Sequence, residues 1–275
     1  MNYQLGKDFI KIYSKDEFNP SHILECGQVF CYRKEGDKFI VFPGKEYAEI
    51  EENDECYVIK TLNPAFFEHW FDLDTDYSLI KKELVEFEIM KKPLNFGYGI
   101  RILNQDPFET LISFILSANN NIKRIMMILN NLREKLGEKT HDNVYSFPSF
   151  EKLRSCNEEF FKQMGAGYRA KYLVNVLKQI NPSMLEEFRG LDTKSLRNKL
   201  IDLSGVGPKV ADCVLLFGYA KGDVFPVDTW IEKMYNSYFP KLENREKIRK
   251  NLVDMFGFLS GQAQQYLFYY QRSGQ

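Results

Sequence analysis

The hydrophobic pattern of the chain changes near residue 100, and this change limits the folds that it can adopt. Before that point, short runs rich in aromatic and β-branched residues are separated by Gly, Asp and Asn, as in GQVFCYR, DKFIVFPG, EYAEIE and ECYVIKTL. Beyond it, apolar residues recur every three or four positions, as they do in helices. The chain is therefore predicted to be an α+β protein. An N-terminal antiparallel β-sheet domain with connecting helices is expected over residues 1–100, and a mainly α-helical region over residues 101–275.

Capping residues and apolar spacing predict the bounds of several helices in the second region. Asp106 is expected to be an N-cap, Pro107 the first helical residue and Glu109 the reciprocal capping residue of one helix. A second helix is expected over residues 122–136, after a run of three asparagines. Further amphipathic patterns predict helices over residues 149–164, 168–180, 193–203, 208–220, 228–238 and 244–271.

Charge is distributed unevenly between the two regions. The 275 residues carry 37 Lys and Arg against 38 Asp and Glu, a net charge of −1 that taken alone argues against a nucleic-acid-binding protein. However, residues 1–100 hold 12 Lys and Arg against 19 Asp and Glu, whereas residues 101–275 hold 25 against 19. A polyanion is therefore expected to bind the second region.

The five cysteines are scattered along the chain, with no Cys-x-x-Cys pair among them. Structural zinc sites and iron–sulfur clusters need thiolates at short spacings, so we expect reduced thiols and no iron–sulfur cluster. The residues after Met1 break their apolar positions with charges, unlike a signal peptide, and no stretch approaches the length of a membrane span. We expect no membrane partner and an intracellular location.

Residues 203–212, with the sequence LSGVGPKVAD, lie between two amphipathic stretches and predict a helix, a tight turn and a second helix. Glycine permits positive φ and leaves no side chain in the way, so the backbone of Gly205, Val206 and Gly207 can approach a phosphate. The N-terminus of the following helix favours the same ligand. For a lone Gly-x-Gly, a simple helix-to-helix turn is the more common explanation.

Lys209 and Asp228 are the candidate catalytic residues. Lys209 falls in the first turn of a helix, where the macrodipole disfavours a cation, and apolar residues follow it. Both conditions favour the neutral amine, which is the nucleophilic form. Asp228 ends an extended segment that can return to Lys209, and it is also a good N-cap for a helix that begins at Thr229. The alternative for an isolated lysine at a helix start is a solvated or phosphate-binding side chain.

The hairpin and a Pro-Val-Asp segment about twenty residues later resemble the helix-hairpin-helix DNA glycosylases. Residues 193–238 would hold the hairpin and the catalytic segment. In that superfamily, the lysine marks enzymes that combine glycosylase and strand-cleaving lyase activities. The absence of a C-terminal four-cysteine motif argues against the endonuclease III and adenine glycosylase branches. Three further blocks, RILNQDP, SANNNI and GAGYRAKY, are similar to 8-oxoguanine DNA glycosylases.

This resemblance implies a substrate and a set of binding residues. Lys209 would attack C1′ of a flipped 8-oxoguanine nucleotide in double-stranded DNA, form a Schiff base and allow β-elimination, with Asp228 beside it. The residues expected to bind the damaged base are Gly27, Cys213, Phe217, Gln264 and Phe268. The residues expected at the opposite cytosine are Asn119, Arg124 and Arg169, with Tyr168 as a wedge in the base stack.

We also expect a monomer that requires no cofactor and no metal. Because no targeting signal is seen, it is expected in the cytoplasm or associated with the nucleoid. The carbonyl groups of Ile201, Leu203 and Val206 are the candidate ligands if the hairpin holds a cation. Trp230 stands where familiar members of the family have histidine. A phosphate contact is therefore expected to differ, because tryptophan donates one N–H and does not become cationic.

Other interpretations remain open for individual residues and for the function. Read singly, Phe268 is a core aromatic, Gly27 a turn residue and the asparagine run a helix junction, while Arg124 and Arg169 are phosphate-binding surface charges. The chain could be a helix-hairpin-helix glycosylase for another damaged base. It could also be a non-catalytic protein that only binds DNA phosphates, with salt-sensitive affinity.

Overall fold

A computed structural model describes residues 1–274 and confirms the α+β prediction. Six antiparallel strands form one sheet in the order β1-β2-β6-β5-β4-β3. Their bounds are β1 Tyr3–Leu5, β2 Phe9–Ile12, β3 Tyr32–Glu35, β4 Lys38–Val41, β5 Ala48–Glu52 and β6 Tyr57–Thr61. A two-stranded hairpin of β7 (Lys139–His141) and β8 (Val144–Tyr145) lies within the helical region. The sequence pattern did not predict β1, β2 or this hairpin.

Helices dominate the rest of the described chain. The first four are α1 Pro20–Glu25, α2 Pro64–Trp70, α3 Tyr77–Leu84 and α4 Lys91–Phe96. The next six are α5 Pro107–Ser117, α6 Ile122–Leu136, α7 Phe150–Arg154, α8 Glu158–Gln163, α9 Arg169–Gln179 and α10 Pro182–Glu187. The last five are α11 Thr193–Ile201, α12 Pro208–Tyr219, α13 Thr229–Tyr238, α14 Arg245–Phe256 and α15 Ser260–Ser273. Within residues 1–274, no helix combines the length and apolar character needed to cross a membrane.

Several predicted element bounds are wrong. The expected strand in GQVFCYR begins only at Tyr32, because residues 27–31 form a loop. The helix expected over residues 149–164 is two helices, since Asn157 caps a new one through a hydrogen bond from Phe160 N to its Oδ1. The helix expected over residues 244–271 is broken at Gly257, whose φ of +56° lies in the left-handed region that favours glycine.

Within residues 1–274, the buried apolar side chains form three clusters. One cluster fills the space between the sheet and α2, and a second lies among α5, α6, α9, α11 and α12. The third joins Leu84, Met90 and Leu94 to residues of α13, α14 and α15, including Tyr266. Residues 84–94 therefore pack against the end of the chain, although they precede residue 100 in sequence.

A buried ion pair ties the sheet region to the helical region. Glu109, near the start of α5, pairs with Arg133 of α6 and accepts a hydrogen bond of 2.9 Å from Gly44 N in the loop after β4. Burial raises the pKa of the Glu109 carboxyl group, and the Arg133 guanidinium opposes this change. The predicted reciprocal capping role of Glu109 is therefore wrong. The N-cap itself is confirmed, because Asp106 Oδ1 accepts a hydrogen bond of 2.8 Å from Glu109 N.

We expect Glu109→Gln to lower the free energy of unfolding by about 3–5 kcal/mol, because it leaves the buried Arg133 without its counter-ion. The matched control is Glu158→Gln, which removes a carboxylate from an exposed pair with Lys162 and should change stability by less than about 1 kcal/mol. Urea denaturation of both variants measures the difference. Equal losses would contradict the assigned role of the buried pair.

Candidate active site

A cavity of about 730 Å³ opens where five distant parts of the chain meet. Its wall includes the end of α5 and start of α6, the first turn of α12, the start of α13, the loop at Gly27 and the face of α15 with Phe268. Five residues predicted for the site line it, namely Gly27, Asn119, Lys209, Asp228 and Phe268. A cavity of this volume is large enough for a flipped nucleotide.

Lys209 lies in the first turn of α12, on the inner wall of the cavity. Its Nζ is 5.1 Å from the centroid of the Phe114 ring, and the amine is close to the thiol of Cys213 one turn later. Burial raises the pKa of the Cys213 thiol to about 11, and the neighbouring Lys209 opposes this shift. Cys213 is therefore a neutral thiol beside the amine. Phe217 packs behind Phe114 with its ring stacked at 5.4 Å, away from the cavity surface.

Asp228 joins Lys209 at the cavity and also caps α13, as predicted. Its Oδ1 accepts hydrogen bonds from Trp230 N at 2.9 Å and from Ile231 N at 3.0 Å. These two donors fix the orientation of the carboxylate relative to the helix. The cavity thus brings the Lys209 amine together with an oriented carboxylate, which is the pair that the sequence predicted.

The hairpin before α12 has the predicted form, although its two glycines differ. Gly205 has φ of +82°, and a Cβ there would lie 2.6 Å from the Cβ of Tyr172. Gly207 has φ of −87° and open space where a Cβ would be, so it does not use positive φ. Gly207 is the N-cap of α12 and leaves its backbone exposed, whereas Val206 is 5% exposed and packs in the core.

The carbonyl groups predicted to hold a cation belong to the same turn. The carbonyl of Leu203 accepts a hydrogen bond of 3.1 Å from Val206 N. A cation held by these groups and the carbonyl of Ile201 stays a prediction. No cluster of three or more His, Cys, Asp or Glu side chains within residues 1–274 is arranged to bind a metal ion.

The loop at Gly27 is fixed by residues that the sequence reasoning missed. Gln265 Nε2 donates to the Cys26 carbonyl at 2.9 Å, and Arg272 Nη2 donates to the Glu25 carbonyl. Gly27 has φ of +88°, and a Cβ there would lie 3.2 Å from Phe268 Cε1. The backbone therefore approaches the cavity so closely that only glycine fits without rearrangement. Of these residues, Arg272 could have been found from spacing, because Gln264, Phe268 and Arg272 are four residues apart on α15.

Gln264 is 5% exposed, and its Oε1 has no hydrogen-bond partner among residues 1–274. A buried amide oxygen without a donor is uncommon in folded proteins. This atom is consistent with the predicted contact to a base, which no observation on the described chain tests.

The four residues predicted to face the opposite strand lie together. Asn119 lines the cavity, and the other three lie beside it. Arg169 is 3% exposed, and it donates to the carbonyl groups of Ala118 and Asn119. The Tyr168 hydroxyl also donates to the Ala118 carbonyl, at 3.2 Å, while its ring remains exposed. Arg124 is exposed and donates to the Gly165 carbonyl at 3.3 Å. Arg169 therefore positions the asparagine loop, and its contact with cytosine stays a prediction.

Trp230, the predicted departure from the family pattern, is 39% exposed at the rim of the cavity. Lys233 Nζ lies 5.5 Å from the centroid of its ring, and Arg245 lines the same rim. Arg245 is held by Glu232 through bonds of 2.8 Å and 2.7 Å. Two cationic side chains, Lys233 and Arg245, thus lie near Trp230 at the rim of the cavity.

Sequence comparisons identify the family. Residues 11–111 match the 8-oxoguanine DNA glycosylase N-terminal domain, and residues 112–257 match the HhH-GPD superfamily of base excision DNA repair proteins. The chain belongs to the 8-oxoguanine glycosylase branch of this superfamily. The resemblance drawn from the hairpin and the Pro-Val-Asp segment is confirmed.

Individual relatives support the same assignment. The 8-oxoguanine glycosylase/lyase of Clostridium acetobutylicum, solved with double-stranded DNA, shares 38% identity and a TM-score of 0.93, covering 100% of this chain and 98% of its own. A probable N-glycosylase/DNA lyase of Methanothermobacter thermautotrophicus is 30% identical over 75% of this chain and 72% of its own. The N-glycosylase/DNA lyase of Saccharomyces cerevisiae is 37% identical over 55% of this chain. The match spans 45% of the yeast protein, less than half its length.

We expect Gly27→Ala to destabilise the protein by about 2–4 kcal/mol, since it combines positive φ with a crowded Cβ position. Gly36→Ala is the control, because Gly36 has φ of +60° but nothing within 4 Å of the Cβ position, so its loss should be about 1–2 kcal/mol. Urea denaturation compares the two variants. If Gly27→Ala lost no more stability than Gly36→Ala, the close approach at Gly27 would not be a constraint.

Proposed function

We propose that this protein is a bifunctional DNA glycosylase and abasic-site lyase that excises 8-oxoguanine from double-stranded DNA, preferentially opposite cytosine. The observation that carries this proposal is the single cavity lined by Lys209, Asp228, Gly27 and Phe268, which come from four distant segments. The likeness to the clostridial glycosylase/lyase extends over the whole chain. We further propose that it acts at the nucleoid as a monomer.

In the proposed reaction, the Lys209 amine attacks C1′ of the flipped nucleotide as the bond from C1′ to N9 breaks. The base leaves with the bonding electrons and takes up a proton, and the oriented Asp228 carboxylate stabilises positive charge on the sugar. Opening of the sugar ring gives a Schiff base, and loss of a proton from C2′ expels the 3′ phosphate. The amine and the carboxylate supply this chemistry, so the proposal requires no metal and no cofactor.

The damaged base would be recognised through its N7 hydrogen. 8-Oxoguanine has an N–H at position 7, whereas guanine has a lone pair there. The Gly27 carbonyl is the proposed acceptor, so guanine would leave it facing another acceptor. Phe268 and the neutral Cys213 would enclose the ring, and the Gln264 amide would contact its pairing edge. Phe217 would support this pocket from behind Phe114, where the two rings are stacked.

The cytosine on the opposite strand would be contacted by exposed residues at and beside the cavity. Tyr168 is 54% exposed and would enter the base stack, while Asn119 lies on the loop that Arg169 holds. Arg124 is the exposed guanidinium nearest this loop in sequence, and it can donate to the O2 and N3 acceptors of cytosine. The positive φ of Asn119, +48°, shows that this loop has a specific backbone conformation.

Borohydride trapping tests the nucleophile. Reduction of the Schiff base should give a covalent adduct with DNA in the unmodified protein, and Lys209→Gln should abolish it. Two lysines line the cavity within residues 1–274, so Lys123→Gln is the matched control and should retain the adduct. An adduct that persists in Lys209→Gln, with the variant folded by circular dichroism, would refute the assignment of Lys209.

Excision from duplexes with 8-oxoguanine opposite each of the four bases tests the substrate and the partner base. Cytosine should give the fastest release, and Arg124→Met should reduce the preference for cytosine by about 5- to 100-fold. Arg154→Met removes a guanidinium that stacks on Phe150 outside the cavity wall, and it should leave the preference unchanged. No release from the cytosine duplex by the unmodified protein would refute the proposed substrate.

A further inference from the structure

Arg272 lies on the wall of the cavity, and the mechanism proposed above gives it no role. Gln264, Phe268 and Arg272 follow one another at intervals of four residues on α15, so their side chains share one face of that helix. The first two are proposed contacts of the damaged base. Arg272 extends the same face by one further turn.

The guanidinium of Arg272 is held in place by two of its three nitrogens. Nη2 donates to the Glu25 carbonyl at the end of α1, and Nε donates to Ser273 Oγ at 3.3 Å. The group is planar and rigid, so these contacts also set the position of Nη1. Nη1 is buried and has no hydrogen-bond partner among residues 1–274. A buried donor on a charged group rarely remains unpaired in a folded protein.

Nη1 lies directly beside Gly27. A Cβ built on Gly27 would be 2.7 Å from Arg272 Nη1 and 3.2 Å from Phe268 Cε1. The guanidinium carbon is 5.3 Å from the centroid of the Phe268 ring. An unpaired donor, the proposed Gly27 acceptor and the proposed stacking ring therefore meet at one corner of the cavity.

The chemistry of 8-oxoguanine matches this corner. Its N7–H lies between two carbonyl oxygens, O6 and O8, so a site that accepts a hydrogen bond from N7–H also faces an acceptor next to it. Guanine has O6 but carries a C–H at position 8. An N–H donor beside the Gly27 carbonyl would therefore complete the pairing of this edge of the base.

We propose that Arg272 Nη1 donates a hydrogen bond to a carbonyl oxygen next to N7–H of the flipped base, and that Arg272 is a specificity-determining residue. This inference rests on the proposed function. The alternative is a purely structural role, in which Arg272 only anchors the Glu25 carbonyl and supports the Gly27 loop. That role leaves Nη1 without a partner, and it predicts the same effect of a substitution on every base.

The test measures single-turnover base release by Arg272→Met from three duplexes with cytosine opposite the lesion. The lesions are 8-oxoguanine, 8-thioguanine, in which sulfur is a weaker acceptor than O8, and 8-oxoadenine, in which an amino group replaces O6. Release of 8-oxoguanine should slow by about 10- to 100-fold, the scale of a hydrogen bond from a charged donor. Release of the analogue that lacks the contacted oxygen should slow several-fold less. A smaller effect on 8-thioguanine identifies O8 as that oxygen, and a smaller effect on 8-oxoadenine identifies O6.

Two controls accompany this measurement. Cleavage at a preformed abasic site, which has no base, should change by less than about 2-fold in Arg272→Met. Arg189→Met removes one positive charge from an exposed pair with Glu186 and should leave the ratios between the lesions unchanged. Rate ratios within one variant do not depend on the folded fraction, so partial misfolding would not hide the effect.

The outcomes separate this inference from the proposed function. If the unmodified protein releases no 8-oxoguanine, both are refuted. If it releases 8-oxoguanine, but Arg272→Met slows all three lesions by the same factor or changes none by more than about 2-fold, only the role of Arg272 is refuted. A selective loss on 8-oxoguanine supports it.

Discussion

The side chain of Gln28 joins the sheet region to the helical region at the point on which the cavity depends. It is fully buried, and its Nε2 donates to the carbonyl groups of Ile23 and Arg101 at 2.9 Å and 2.8 Å. Its Oε1 accepts a hydrogen bond of 2.9 Å from Leu103 N. One amide thus fixes the Gly27 loop to the segment that leads into α5. Since α5 packs on α12, which carries Lys209, the proposed recognition loop and the proposed nucleophile are joined through packed elements.

Local sequence signals predicted the parts of the site that depend on local structure. Asp106 and Asp228 were identified as N-caps, and both accept the expected backbone hydrogen bonds. The glycine hairpin predicted the start of α12 and therefore the place of Lys209. Such features follow from a few neighbouring residues, so a single sequence contains enough information to find them.

Hydrogen-bond and ion-pair partners that lie far apart in the sequence could not be predicted. Glu109 matched the pattern of a capping residue, but a buried guanidinium 24 positions later pairs with it instead. Arg169 was predicted to contact the opposite cytosine, but its hydrogen bonds to carbonyl groups some fifty positions earlier in the chain were not predicted. Gln265 and Arg272 reach back across most of the chain to residues 25–26. Tertiary packing selects these partners, and local spacing carries no information about them.

The raised pKa of Cys213 has a consequence for the chemical durability of the site. Oxidants attack the thiolate, and burial favours the thiol form of Cys213 by raising its pKa to about 11. Burial raises the pKa of Cys26 to about 11 as well, so the thiol form is also favoured at the cysteine beside Gly27. A protein proposed to repair oxidised DNA encounters the same oxidants as its substrate. Burial therefore makes the thiol beside the proposed nucleophile less sensitive to the oxidants that damage DNA.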